Sequence, residues 1–191
     1  MSCLVEVSEK AILQGTTTFK NRYTMAASND VADPYLKQDA TMNPKTSEAA
    51  KGHDFSKRGK VSVWASQYPY AEVPDEYFEE RFSHKGKRAS NQWSRNFNLN
   101  YFMPDNMETN GSHEGLVSIE RAAGECSYSN SYMTNLLSKA RKLKLQEVSW
   151  VILLFEHEYS ARLSGVNKDE VMTFLGAFDY DDEADNLFQP D

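Results

Sequence analysis

From residue 60 onward the chain switches between two hydrophobic periods. KVSVWAS (60–66) alternates, with Val61, Val63 and Ala65 on one face and Ser62, Trp64 and Ser66 on the other. Such a period of two predicts a strand. EVPDEYFEERF (72–82) changes to helical spacing, with Val73, Tyr77, Phe78 and Phe82 in one stripe. Pro74 suits a first helical turn, and Asp75 and Glu76 favour its amino end. ASNQWSRNF (89–97) predicts a second short helix capped by Ser90, with Trp93 and Phe97 four apart. LNYF (99–102) is compatible with a strand. GLVSIERAAG (115–124) reads as a short helix, with a strand as the alternative.

The carboxy-terminal third carries the strongest pattern. SNSYMTNLLSKARKL (129–143) places Tyr132, Met133, Leu136, Leu137, Ala140 and Leu143 on one helical face, and its last turns are basic. Residues 150–155, WVILLF, are apolar at every position, which predicts a central strand buried on both sides. MTFLGAFDY (172–180) returns as a strand with Met172, Phe174, Phe178 and Tyr180 on one face. A turn around Gly165 and Asn167 would pair it antiparallel with 150–155. The expected fold is α+β, helices packed on a mainly antiparallel sheet. Trp64, Trp93, Trp150, Phe174 and Phe178 are the expected core, each large side chain contributing about 1.5–3 kcal/mol on burial.

Composition divides the chain near residue 60. Residues 1–60 hold nine basic and seven acidic side chains; residues 61–191 hold twelve and twenty-one, a net of −9. The first part is polar and without a steady period, so residues 1–59 read as an arm or extension, 30–60 as its linker. CLVEV (3–7) offers a possible edge strand. Residues 60–191 form the domain. The net charge of −7 argues against a general nucleic-acid binder. Cys3 and Cys126 make neither a disulfide framework nor a zinc site, consistent with a reducing cytosol. The amino terminus lacks a secretory pattern and no run is long enough to span a membrane, so a cytoplasmic location is expected.

KVSVWAS, ECSYSNSYMTNLL (125–137) and the pair WVILLFEHEY…TFLGAFDYDD together resemble the immunity protein 22 family of bacterial polymorphic-toxin systems, over about residues 60–182. The resemblance implies a small cytosolic protein, encoded beside a secreted toxin, that binds the toxin domain and protects the producing cell. It implies neither catalysis nor a cofactor, and it does not name the toxin.

The candidate binding residues are acidic. Asp179, Tyr180, Asp181, Asp182, Glu183 and Asp185 follow the last strand, and Glu156 and Glu158 in FEHEY share one side of theirs. Residues 156–191 hold ten acids against Arg162 and Lys168, a local net of −8. Such a patch would steer a basic partner, for which a nuclease toxin with a phosphate-holding cleft qualifies. The plainer reading is a solvated strand end. A calcium loop fails on spacing: from Asp179, position six is Ala184 and position twelve Pro190.

Glu156 and Glu158, about 7 Å apart, with His157 would suit acid–base work, but a polar strand end explains them more simply. His53, His84, His113 and His157 show no metal spacing, and nucleophile-elbow, phosphate-loop and dinucleotide patterns are absent. A non-enzyme is expected. KRGK (57–60) and KGKR (85–88) sit in expected loops without stacking platforms, so direct nucleic-acid binding is not expected. Tyr128 and Tyr180 are open between core and interface. CSYSNSY (126–132) reads as turn and cap chemistry, with partner contact as the lesser alternative. A regulatory or scaffold interaction module is the second functional class, and a hydrolase built on Glu156, His157 and Glu158 the third.

Overall fold

A computed structural model of the chain describes residues 52–82, 89–100, 102–184 and 187–188. The expected edge strand at 3–7, the remainder of the arm through residue 51, the basic KGKR segment and Asp185 lie outside these residues. The strands are β1 (Ser56–Ser66), β2 (Arg81–Phe82), β3 (Ala89–Ser90), β4 (Met107–Gly111), β5 (Val117–Ser118), β6 (Glu147–Val148), β7 (Trp150–His157) and β8 (Thr173–Asp179). The helices are α1 (Gln92–Asn96), α2 (Ile119–Gly124), α3 (Ser129–Leu143) and α4 (Ala161–Ser164). The main sheet is antiparallel with order β4-β7-β1-β8, so the fold is α+β as the pattern predicts.

This order corrects the expected pairing of the last two strands. β8 does not lie beside β7. β1 occupies the place between them and pairs antiparallel with both. The alternating β1 therefore becomes a central strand, and its small buried Ser62 and Ser66 occupy the face that Trp64 fills.

One face of the sheet is covered by α2 and α3. Val61, Val63, Ala65, Val151, Leu153, Phe155 and Leu175 meet Ile119, Ala122, Tyr132, Met133, Leu136 and Ala140 there. The predicted helix 129–143 is α3, although Leu143 at its end is exposed. Residues 115–124 hold both alternatives, β5 running into α2, with Ser118 Oγ accepting from Arg121 N as the cap.

The opposite face is aromatic. Trp64, Trp150, Ile152, Leu154 and Phe174 pack against Trp93, Phe97, Phe102, Tyr77 and Tyr159. Trp64 meets Trp93 edge-on at 4.9 Å, a favoured arrangement for two indoles. Residues 72–82 are not the expected helix. They hold the end of one 3-10 turn, Tyr70–Glu72, and a second, Asp75–Tyr77, followed by β2, and Phe78 turns back onto Trp150 at 4.8 Å. α1 is capped by Asn91 rather than Ser90: Asn91 Oδ1 accepts from Ser94 N, and Ser94 Oγ accepts from Asn91 N. Leu99 and Phe102 make isolated bridges to His53 and Ala89 instead of a strand.

Two irregularities in β1 pairing overturn the predicted faces. Between Ser56 and Val61 the chain gains residues relative to β7, where only Glu156 lies between the paired Phe155 and His157. Gly59 and Glu156 both take positive φ there, 71° and 59°. Phe155 consequently packs on the α3 side and Tyr159 on the aromatic side, not together as alternation predicts. At Val63/Trp64 the register with β8 skips Leu175. Phe174 therefore faces the aromatic layer, while Phe178 and Tyr180 pack toward α3. Trp64, Trp93, Trp150 and Phe174 are buried as expected; Phe178 is half-buried.

Candidate functional site

The β1 irregularity determines where the candidate acids go. Residues 57–60, read as a loop from sequence, belong to β1 and run past the ends of β7 and β8. Lys57 Nζ lies 2.5 Å from Glu158, and Lys60 Nζ lies 2.7 Å from Asp179 and 3.6 Å from Glu158. Arg58 approaches Asp182 at 4.0 Å. The hydrogen bond from Lys57, then the charges of Lys57 and Lys60, lower the Glu158 carboxyl below its usual range. The hydrogen bond and charge of Lys60 do the same for Asp179, whose bond in turn raises Lys60. Five acids at this rim (Glu158, Asp179, Asp181, Asp182, Glu183) thus face three cations (Lys57, Arg58, Lys60), a net of −2. The −8 counted along residues 156–191 overstates the field, because its counter-charges lie about a hundred residues earlier.

The expected Glu156, His157 and Glu158 grouping separates. His157 is buried with Nδ1 2.9 Å from Phe155 O. Glu158 belongs to the lysines. Glu156 turns the other way: its Oε1 accepts from the Tyr180 hydroxyl and, at 3.2 Å, from Gly59 N. Among the described residues no three His, Cys, Asp or Glu side chains group as metal ligands.

Beside Glu156 lies a cleft of about 530 Å³, lined by 104–108, Ser127, Tyr128, Phe155, Glu156 and Tyr180. Its wall is an aromatic trio. Tyr128 stacks on Tyr180 at 5.3 Å and 26°, and Phe155 meets both edge-on at 5.8 and 5.1 Å. Burial, with the Glu156 hydrogen bond second, pushes the Tyr180 phenol well above its ordinary value. Glu108 on β4 holds the turn before α3, accepting from Ser127 N at 2.9 Å and Ser127 Oγ at 2.5 Å. Tyr128 then enters α3 with φ of 57°. The serines of CSYSNSY do turn and tail work: Ser131 Oγ accepts from Asp181 N, and Ser129 Oγ accepts from Phe188 N while donating to Gly124 O.

Of the sequence-nominated residues, Glu156 and Tyr180 share this cleft. Glu158, Asp179 and Asp182 form the ion-paired rim, and Asp181 and Glu183 are exposed beside it. Sequence reading missed Glu108 and Asp105, which sit in and before a strand too polar to register as one. No helix among the described residues is long and apolar enough to cross a membrane.

No curated protein and no solved structure matches the chain. One family model, described as Immunity protein 22, matches residues 61–181. That span runs from β1 to the strand end beyond β8, taking in the whole main sheet from Val61 onward, the helices α1 to α4 and all ten residues of the cleft. The chain belongs to the immunity protein 22 family.

Proposed function

We propose that this chain binds the toxin domain of a polymorphic toxin system and neutralises it in the cytosol of the producing cell, without catalysis. The family match over residues 61–181 carries the reading. It is supported by the position of the nominated acids at one end of the sheet, where Asp181, Asp182 and Glu183 are exposed and Tyr180 borders a cleft. A toxin that holds phosphates presents basic surface to its substrate, so a nuclease suits an acidic rim of this kind. An interface of standard size, about 1,600 Å² in total, would extend from the rim across the cleft. In this reading the binding domain runs to residue 191 and already includes Phe55 and β1 from Ser56, so the polar arm is shorter than residues 1–59.

The test is co-expression with the carboxy-terminal domain of the toxin encoded beside this chain. Rescue of growth together with co-purification is the expected result; toxicity without rescue overturns the reading. Replacing Asp179, Asp181, Asp182 and Glu183 together by Asn or Gln should slow association and flatten its salt dependence, the signature of rim charges. An unchanged rate and salt slope would remove the rim from the interface.

A further inference from the structure

The carboxylates at this end of the molecule fall into two classes. Glu158, Asp179 and Asp182 each have a lysine or arginine within 4.0 Å. Glu156 and Glu108, although half-buried, have no cationic partner among the described residues; their hydrogen bonds come from Tyr180, Gly59 and Ser127, all neutral donors. Asp105 adds a third carboxylate to the same cleft, whose lining contains no lysine or arginine. The amino end of α3 supplies about half a positive charge beside Glu108. That leaves the two half-buried carboxylates without full compensation around one concavity, with the exposed Asp105 in the same lining. Charges withdrawn from water are ordinarily paired, and among the described residues the half-buried Glu108 and Glu156 have no such partner.

The aromatic lining beside the acids is equally specific. Tyr128 and Tyr180 present stacked, half-buried rings, and aromatic faces attract cations, guanidinium above all. Glu156 and Tyr128 are two of four non-glycine residues with positive φ among those described, and both line this cleft. Holding them so costs backbone energy, which is the kind of outlier that accompanies binding sites.

We infer that the cleft between Glu108, Glu156 and the Tyr128–Tyr180 pair receives one cationic side chain, an arginine by preference, projecting from the partner protein. The inference deepens the toxin-binding reading and rests on it for the identity of the partner. The rim governs how fast the partner arrives, and the cleft governs how long it stays.

The experiment has two arms on the full chain. In the first, ¹⁵N-labelled protein is titrated with N-acetyl-arginine amide and, separately, with the neutral near-isostere N-acetyl-citrulline amide. Arginine amide should shift the amides of Gly59, Ser127, Tyr128 and Tyr180 at millimolar concentration, and citrulline amide should not. Glu156→Gln, which keeps the acceptor for Tyr180 and Gly59 and removes only charge, should abolish the shifts. Equal effects of the two amides, no shifts, or an unchanged titration in Glu156→Gln overturn the cleft. In the second arm, dissociation of the toxin domain is timed by surface plasmon resonance. Glu156→Gln should speed it at least about tenfold with little change in association; an unchanged off-rate shows that the toxin does not use the cleft. If the wild-type chain holds no toxin domain, the toxin-binding reading fails, and the amide titration still decides the cleft by itself.

Discussion

Tyr180→Phe isolates the bond that fixes the cleft. The substitution removes one oxygen and leaves the ring stacked on Tyr128 and edge-on to Phe155. It takes a donor from Glu156, which retains Gly59 N at 3.2 Å. A hydrogen bond to a charged group is worth about 1.5–3 kcal/mol when well buried. Both partners here are half-buried, so solvent replaces part of the loss and the expected cost is about 1 kcal/mol. For a domain of this size that lowers Tm by about 4 °C. A double-mutant cycle with Glu156→Ala separates the bond from other effects, because loss of the Gly59 contact occurs in both Glu156 arms and cancels. The coupling should be about 1 kcal/mol by urea unfolding. The pH dependence adds a second signature. The Tyr180 phenol titrates above its unfolded value of about 10. A raised pKa means its contribution is complete below that value and declines as pH rises through the folded one. The coupling should therefore be flat from pH 6 to 9 and shrink only in strong alkali. A coupling within about 0.3 kcal/mol of zero at neutral pH would refute the claim that this bond holds the cleft.

Three further outcomes follow from the same geometry. Glu156→Gly should be about 1 kcal/mol more stable than Glu156→Ala, because the residue sits at φ of 59° and only glycine adopts that region without steric cost; equal stabilities in urea would contradict it. Gly111→Ala should cost about 3 kcal/mol, at the upper end for overpacking, because an added Cβ would lie 2.2 Å from Ser149 O and 2.4 Å from Trp150 Cβ; a ΔΔG under about 1 kcal/mol would show that β4 shifts freely. Lys60→Met should move the carboxyl titration of Asp179, followed by ¹³C NMR, back up toward its ordinary range, and that of Glu158 by less, because Lys57 remains bonded to it. Their lowered values mean that the contribution of these pairs is present above the ordinary carboxylate pKa and lost as pH falls below it; unchanged midpoints would show that the lysine does not hold them.

Legibility followed pattern strength. The residues of α3 were readable because six apolar side chains repeat at 3.6 over fifteen positions, and WVILLF announced a strand with two buried faces. β4, METNG, was not readable: Glu108, Thr109 and Asn110 carry no strand composition, and its place at the sheet edge comes from pairing with β7. The pairing of β8 with β1 rather than β7 depends on residues more than a hundred positions apart, and local pattern says nothing about such contacts. Phe174 was misread as sharing a face with Phe178 and Tyr180 because a register irregularity at Leu175 lies between them, which moves side chains across the sheet without changing composition. The candidate site divides the same way. Tyr180 and the acids were visible as a run. The lysines that neutralise part of that run, and the alliance of Glu156 with Tyr180, required the fold to bring Lys57, Lys60 and Gly59 to the strand ends.

Hydrogen exchange on the full chain, alone and mixed with the toxin domain proposed as its partner, tests the binding surface most directly. Protection concentrated on the Ser127–Tyr128 turn, on Glu156 and on the segment from Phe178 to Glu183 is the predicted footprint. Protection centred instead on the aromatic layer around α1 and α4, with those segments unchanged, would contradict it.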